Sequence, residues 1–146
     1  MLRPLLTAAI LSMPVSALAQ VATNCFWDAY APLASEPITT YANGAIRVAV
    51  VDRGGASDGS KYLLIGHPQG TGPTDCTLIG FEITRGFASM WPSDPPSRYD
   101  PAHGLTLIMD AIFVLPDQNF SNSMRLFVTI NQATGGVTLD SKLGRE

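Results

Sequence analysis

The chain has 146 residues, of which 46% are hydrophobic and only 14% are charged, and its formal net charge is −3 at pH 7. This sparse and acidic charge argues against nucleic acid and against an anionic membrane surface as partners, because both are bound by clustered Lys and Arg. The length fits one domain, which can bury about two thirds of the surface that its unfolded chain exposes.

The first nineteen residues predict an export signal. Arg3 precedes an apolar run over 5–18, and Ala17-Leu18-Ala19 has the small-residue spacing that a signal peptidase cleaves. Pro14 interrupts the run, which is shorter than the about 20 residues that cross a bilayer. We therefore predict a signal peptide over 1–19, a single β-rich domain over 20–146 with no membrane span, and a periplasmic or secreted location.

The only two cysteines, Cys25 and Cys76, both follow the predicted cleavage site. In an oxidising compartment a pair of cysteines favours one disulfide over two buried free thiols. Such a bridge would stabilise the fold by about 4 kcal/mol in the chain-entropy description. Just after Cys25, Phe26 and Tyr30 are four residues apart and Pro32 follows, which predicts one helical turn that covers an end of the core beside the disulfide.

The strongest pattern in the chain predicts a hairpin at the centre of a sheet. A short strand over 38–41 and a turn at Asn43-Gly44 lead into a strand over 45–52, in which Ile46, Val48 and Val50 share one face. A glycine-rich turn then precedes a second apolar strand over 61–67. The following stretch, 68–75, is dense in Pro and Gly and predicts a loop.

Further strands are predicted over 76–84, 105–115, 124–131 and 137–140, and the tail from Ser141 is expected to fray. The proline-rich stretch 86–97 predicts a surface loop whose aromatic residues pack back onto the sheet; Trp91 is a weaker candidate for an interaction anchor. Asp100 to Leu107 resembles Asn131 to Leu139, which suggests one hairpin solution used twice. Together these elements predict an all-β fold, an antiparallel sandwich or small barrel of about seven strands.

One stretch, Gly55-Ala56-Ser57-Asp58-Gly59, matches the pattern of a serine nucleophile elbow. A hydrolase built on Ser57 would need His103 as base and Asp75 or Asp100 as acid. However, a strand follows Ser57 where the elbow requires a helix, so the sequence favours an ordinary hairpin loop. A small hydrolase using Ser57 or a carboxylate pair is therefore an alternative, and no catalytic residue is assigned. The acids considered for such a pair are Asp52, Asp58, Asp75, Asp100 and Asp110.

The chain contains two histidines, His67 at a strand end and His103 in a turn. A metal site would require them to meet with a third ligand such as Asp75 or Asp100, and no spacing in the sequence supports this. We predict no metal and no cofactor, and keep a carrier of a small ligand or metal at the His67 and His103 loops as a second alternative.

Several segments of the chain share one further property: the export signal, Cys25, the stretch from Pro37 to Ala49, Cys76, Asp100-Pro101, and Thr129 to Gly135. Together these segments resemble small exported proteins of Gram-negative bacteria that have no assigned activity. The resemblance implies a periplasmic address and provides no catalytic residue. The leading prediction is thus a periplasmic β-domain without catalytic activity, a binding or accessory module whose partner is an envelope protein; the sequence assigns neither binding residues nor an oligomeric state.

Overall fold

The computed structural model describes residues 20–56, 58–68 and 74–144, with the side chains of 74 and 75 excepted. The predicted signal peptide and Ser57 lie outside the described residues. Within them the chain forms two antiparallel sheets and one disulfide, which confirms the prediction of an all-β sandwich. No helix in these ranges has the length and apolarity needed to cross a membrane.

The first sheet contains the five N-terminal strands in the order β1-β5-β4-β3-β2. Their bounds are β1 (Val21–Cys25), β2 (Thr39–Tyr41), β3 (Ile46–Asp52), β4 (Lys61–Pro68) and β5 (Thr74–Gly80). The second sheet is a meander in sequence order, made of β6 (Ser89–Asp100), β7 (Gly104–Leu115), β8 (Phe120–Ile130) and β9 (Val137–Leu143). The predicted hairpin, β3 with β4, lies in the middle of the first sheet.

The main core lies between the two sheets and follows from the two-residue period of the strands. In β3, Ile46, Val48 and Val50 face the second sheet, as the sequence predicts, and alternate residues of β7 and β8 face the first. The ring of Phe81, just after β5, stacks on that of Phe113 in β7 with their centroids 4.6 Å apart. These contacts hold the two sheets face to face.

A short helical segment covers the other face of the first sheet. It consists of α1 (Trp27–Tyr30) and a 3-10 turn (Ala31–Leu33). A further 3-10 turn is Pro116–Gln118, and Ala42–Gly44 is a tight turn with left-handed backbone. Trp27 packs against this face, and the Arg47 guanidinium lies 4.2 Å from the centroid of its ring. The helical turn confirms the prediction, but Phe26 is 85% exposed and does not cover the core. Trp27 takes that place beside Tyr30.

The disulfide joins the edge strand β1 to its neighbour β5. Cys25 lies directly opposite Cys76 in the antiparallel register, with their Cα atoms 4.9 Å apart. The predicted pairing of the two cysteines is confirmed, and a covalent bond at this register ties an otherwise polar edge strand to the sheet.

Three further local predictions are wrong. Most of the proline-rich stretch 86–97 belongs to β6, an edge strand with an irregularity between Pro92 and Ser97; an edge tolerates proline because one side of the strand needs no backbone donor. The strand predicted over 76–84 ends at Gly80, and the chain bends over 81–84. The tail does not fray at Ser141, since β9 continues to Leu143 and pairs with β8.

Candidate ligand cleft at one end of the sandwich

A cleft of about 610 Å³ opens at one end of the sandwich, where turns from both sheets meet. Its described lining residues are all uncharged and comprise two aromatic rings, two amides and three small or aliphatic side chains. They are Tyr41, Ala42, Asn43, Ala45, Tyr99, Leu105 and Gln132. The volume falls within the range of about 300–1,000 Å³ that is typical of small-molecule sites.

The turn between β2 and β3 supplies one wall of this cleft. Ala42, Asn43 and Gly44 all have positive φ angles, of 52°, 55° and 87°. Asn and Gly adopt this region readily, but alanine does so at a cost of about 1–2 kcal/mol. The turn closes with a hydrogen bond from the Ala45 N–H to the Ala42 carbonyl at 3.1 Å. This tight turn follows directly on β2, which ends at Tyr41, and it places Asn43 in the lining of the cleft.

The hairpin between β6 and β7 supplies the facing wall. Asp100 accepts hydrogen bonds on Oδ1 from the N–H groups of Ala102, at 2.7 Å, and His103, at 3.1 Å. The pKa of Asp100 lies below its ordinary value. The hydrogen bond from the Ala102 N–H is the largest cause, and the hydrogen bond with the His103 side chain is the second. The capped turn connects Tyr99, which remains 65% exposed, with the buried Leu105.

The turn between β8 and β9 forms the remaining wall of the cleft, and a side chain caps it as Asp100 caps the previous turn. Asn131 Oδ1 accepts from the N–H groups of Ala133, at 3.0 Å, and Thr134, at 3.3 Å. The Asn131 N–H donates to the carbonyl of Gly136 at 2.8 Å, so the turn is closed on both sides. The predicted repetition of one hairpin solution is confirmed, and the second copy holds Gln132 at the cleft.

The side chains that line the cleft offer apolar surface and hydrogen-bonding groups to a small molecule. Tyrosine rings offer apolar faces with a hydroxyl at one end, and the amides of Asn43 and Gln132 each offer a donor and an acceptor. The described lining includes no carboxylate, imidazole or thiol that would serve as a general base or nucleophile.

No protein-family model, no curated protein and no solved structure matches this chain. The cleft is therefore interpreted from its own geometry and chemistry.

The described residues that flank Ser57 lie far from the Asp100–His103 pair that the alternative hydrolase would use. Ala56 and Asp58, which flank Ser57, lie in the turn after β3, whereas the cleft and the Asp100–His103 turn lie at the start of β3. The seven residues of that strand span about 23 Å. His103 Nδ1 is 3.1 Å from Asp100 Oδ1, so an acid and a base do meet, but at the opposite end of the sandwich from Ala56 and Asp58.

The two histidines do not form a common site. His67 is only 2% exposed, and its Nε2 lies 2.9 Å from Thr77 Oγ1 inside the first sheet's buried face, while its Nδ1 has no hydrogen-bond partner among the described residues. His103 is exposed in the turn of the second sheet. In the part of the chain that the structure describes, no group of three His, Cys, Asp or Glu side chains could hold a metal ion.

Three of the candidate carboxylates, Asp52, Asp100 and Asp110, pair with cationic side chains or backbone N–H groups. Asp52 accepts a hydrogen bond from Lys61 Nζ at 2.6 Å, which is the largest cause that lowers its pKa to about 2. Asp110 forms a bidentate ion pair with Arg125, and the hydrogen bonds from Arg125 lower the pKa of Asp110. A glycosidase-type pair requires one carboxyl with a raised pKa, and these groups show the opposite shift.

A second groove, of about 550 Å³, lies on the outer side of the second sheet. Its walls include the charged residues Asp110, Arg125 and Lys142, and the half-exposed Trp91 stands at its margin. Lys142 Nζ lies 5.5 Å from the centroid of Phe127. Arg125 and Lys142 already contact an acid and an aromatic ring of the same sheet. This groove is therefore a weaker candidate for a ligand site than the cleft.

Sequence reasoning did not identify the four polar and aromatic residues of the cleft as a site. The sequence predicts a strand at Tyr41 and a turn at Asn43, and Tyr99 and Gln132 carry no motif. The signal that could have identified them is the repeated turn starter, Asp100 and Asn131. Tyr99 directly precedes Asp100, and Gln132 directly follows Asn131.

Proposed function

We propose that this chain is an exported bacterial envelope domain without catalytic activity, which binds its ligand in the cleft between Tyr41 and Tyr99. The observation that carries the proposal is the cleft itself: an uncharged site of about 610 Å³ in which two tyrosine rings and two amides converge. A ligand presented by another envelope component would make the domain an accessory module of that component.

The proposed periplasmic address rests on the signal pattern of residues 1–19 and on the resemblance to small exported Gram-negative proteins. The Cys25–Cys76 disulfide is compatible with an extracytoplasmic location, because such bridges persist in oxidising compartments. The mass of the chain isolated from its own host tests this part: cleavage after Ala19 gives a mature chain that begins at Gln20. A full-length chain that retains its first nineteen residues would contradict it.

Photo-crosslinking in the host tests the binding site. We would place benzoyl-phenylalanine at position 99, replacing one aromatic ring by another, and irradiate intact cells. The matched control carries the same group at position 83, because Ile83 is 73% exposed and lies outside the cleft. We expect an adduct at position 99 that is absent at position 83. No adduct at 99, or equal adducts at both positions, would contradict the proposed function.

The hydrolase alternative has its own decisive test. Labelling of Ser57 by a serine-directed covalent probe would establish an activated nucleophile there and overturn the non-catalytic proposal.

A further inference from the structure

We infer that the ligand of the Tyr41–Tyr99 cleft is a neutral saccharide, with a sugar ring lying against a tyrosine ring. This inference rests on the proposed function, since it specifies the chemical class bound at the same site. Three properties of the described lining support it: its charge, its aromatic surface and its amides.

The first property is the lack of charge among the described lining residues. Asp100, the nearest acid in sequence to Tyr99, has its Oδ1 engaged by two backbone N–H groups and the His103 ring. A charged ligand entering the cleft would lose hydration without gaining an opposite charge, and such a transfer is unfavourable. The site therefore selects a neutral molecule.

The second property is the exposed aromatic surface. Tyr99 is 65% exposed although its backbone is held in register opposite Leu105, and Tyr41 is half-buried at the end of β2. A sugar ring has a face of C–H groups and a rim of hydroxyls, so it can cover a tyrosine ring while its rim stays polar. A flat tyrosine also loses little conformational entropy on binding, because it has two side-chain torsions.

The third property is the pair of amides. Asn43 and Gln132 each present a carbonyl acceptor and an NH₂ donor, and a sugar hydroxyl is both a donor and an acceptor. An apolar ligand would bury these amides without hydrogen-bond partners, which is unfavourable. The amides thus argue against a hydrocarbon ligand. In the same way, the lack of charged side chains in the described lining argues against an ionic ligand.

The backbone supporting these groups is fixed before a ligand arrives. The Asp100 and Asn131 caps hold the turns next to Tyr99 and Gln132, and the positive φ angles of Ala42 and Asn43 fix the third wall. A site that is already ordered does not have to be ordered by its ligand, and this favours binding of a small, flexible molecule.

The test is an NMR titration of the ¹⁵N-labelled protein, because the side-chain NH₂ signals of Asn43 and Gln132 report directly on the cleft. Three neutral trisaccharides serve as probes: maltotriose, cellotriose and tri-N-acetylchitotriose. Trigalacturonic acid is the charged comparison, and indole is the apolar one. We expect at least one neutral trisaccharide to shift both amide signals at millimolar concentration, and neither comparison compound to do so.

Two variants check the mode of binding. We expect Tyr99→Ala to weaken binding of that trisaccharide at least about tenfold, because it removes the stacking surface. Phe26→Ala is the matched control, since it removes an aromatic ring that is 85% exposed and lies outside the cleft. Unchanged binding in Tyr99→Ala would overturn the proposed stacking.

The outcomes separate this inference from the proposed function. If no neutral trisaccharide moves the two amide signals, the saccharide inference is overturned. If the adduct formed in cells at position 99 also lacks carbohydrate fragment ions, the cleft remains a binding site for another class of molecule. If no adduct forms there, the proposed function falls as well.

Discussion

Asp100 and Asn131 accept equivalent pairs of backbone hydrogen bonds in two turns that lie side by side at the same end of the second sheet. Gly104, which follows the first cap, has a φ of 102° and packs directly against the Ile130 carbonyl that precedes the second. The two turns therefore form one unit, and Tyr99 and Gln132 owe their positions at the cleft to it.

Gly104→Ala tests how tightly the two turns are packed. We expect it to lower the free energy of unfolding by about 3 kcal/mol or more, because an unfavourable positive φ is combined with overlap of the new Cβ and the Ile130 carbonyl. Gly54→Ala is the matched control: Gly54 also has a positive φ, 73°, but its added Cβ meets no atom of the described residues within 4 Å. Urea unfolding of both variants measures the difference, and equal losses would show that the contact with Ile130 contributes nothing.

Loss of the Cys25–Cys76 bond should lower the unfolding free energy by about 4 kcal/mol, because the bridge closes a long loop in the unfolded chain. The measurement is the urea midpoint of the oxidised protein against that of the Cys25→Ala/Cys76→Ala double variant. The same midpoint for the two proteins would contradict a stabilising role. Since β1 is an edge strand, its amides are also expected to exchange fastest in the double variant.

Asp52 makes the stability of the fold dependent on pH. Its folded-state pKa, about 2, is below the ordinary 3.8 because of Lys61 and then the Gly54 N–H. A lowered pKa stabilises the folded state above the ordinary pKa, and this stabilisation is lost as the pH falls through about 2. Thermal unfolding of Asp52→Asn should thus show a deficit at about pH 6 that disappears near pH 2.

The control for this pH dependence is Asp117→Asn, which removes the same charge from an exposed 3-10 turn. A deficit of Asp52→Asn that persists unchanged near pH 2 would show that the carboxylate acts through packing rather than through its charge.

Gly66→Ala should displace Trp27 from the outer face of the first sheet. The added Cβ would lie 2.7 Å from Trp27 Cε3, too close for that ring to keep its place. In a Trp91→Phe background, where Trp27 is the single tryptophan, we expect a red-shifted emission and a loss of about 1–3 kcal/mol in unfolding free energy. Gly136→Ala is the control, since its Cβ would meet only Thr134 Oγ1, at 3.2 Å. Unshifted emission in Gly66→Ala would contradict the close packing of Trp27 on Gly66.

The strands that sequence alone predicts are those whose apolar pattern matches their burial. The alternation of Ile46, Val48 and Val50 reflects burial on one face of β3, and the apolar runs of β4, β7 and β8 reflect central positions in their sheets. In these segments the local sequence pattern agrees with the tertiary environment, so the pattern alone is sufficient to predict the strand.

The two missed strands both lie at sheet edges. In β6, Pro92 and its neighbours suggest a loop, but an edge leaves their missing N–H groups without consequence. The polar residues of β1 carry no strand signal, and their pairing with β5 is fixed by tertiary contacts and the disulfide. The cleft was missed for a related reason: Tyr41 and Tyr99 are distant in sequence and become neighbours only when the two sheets pack.

The most direct test of a cleft that binds a ligand in an exported domain is native mass spectrometry of the chain isolated from its host's extracytoplasmic fraction. The wild type is compared with Tyr99→Ala/Gln132→Ala, each after incubation with envelope extract. We predict a mature chain that begins at Gln20, has lost two hydrogens at its cysteines, and carries a non-covalent mass that the double variant lacks. A bare wild-type chain, or a bound mass that the double variant retains in full, would contradict the account.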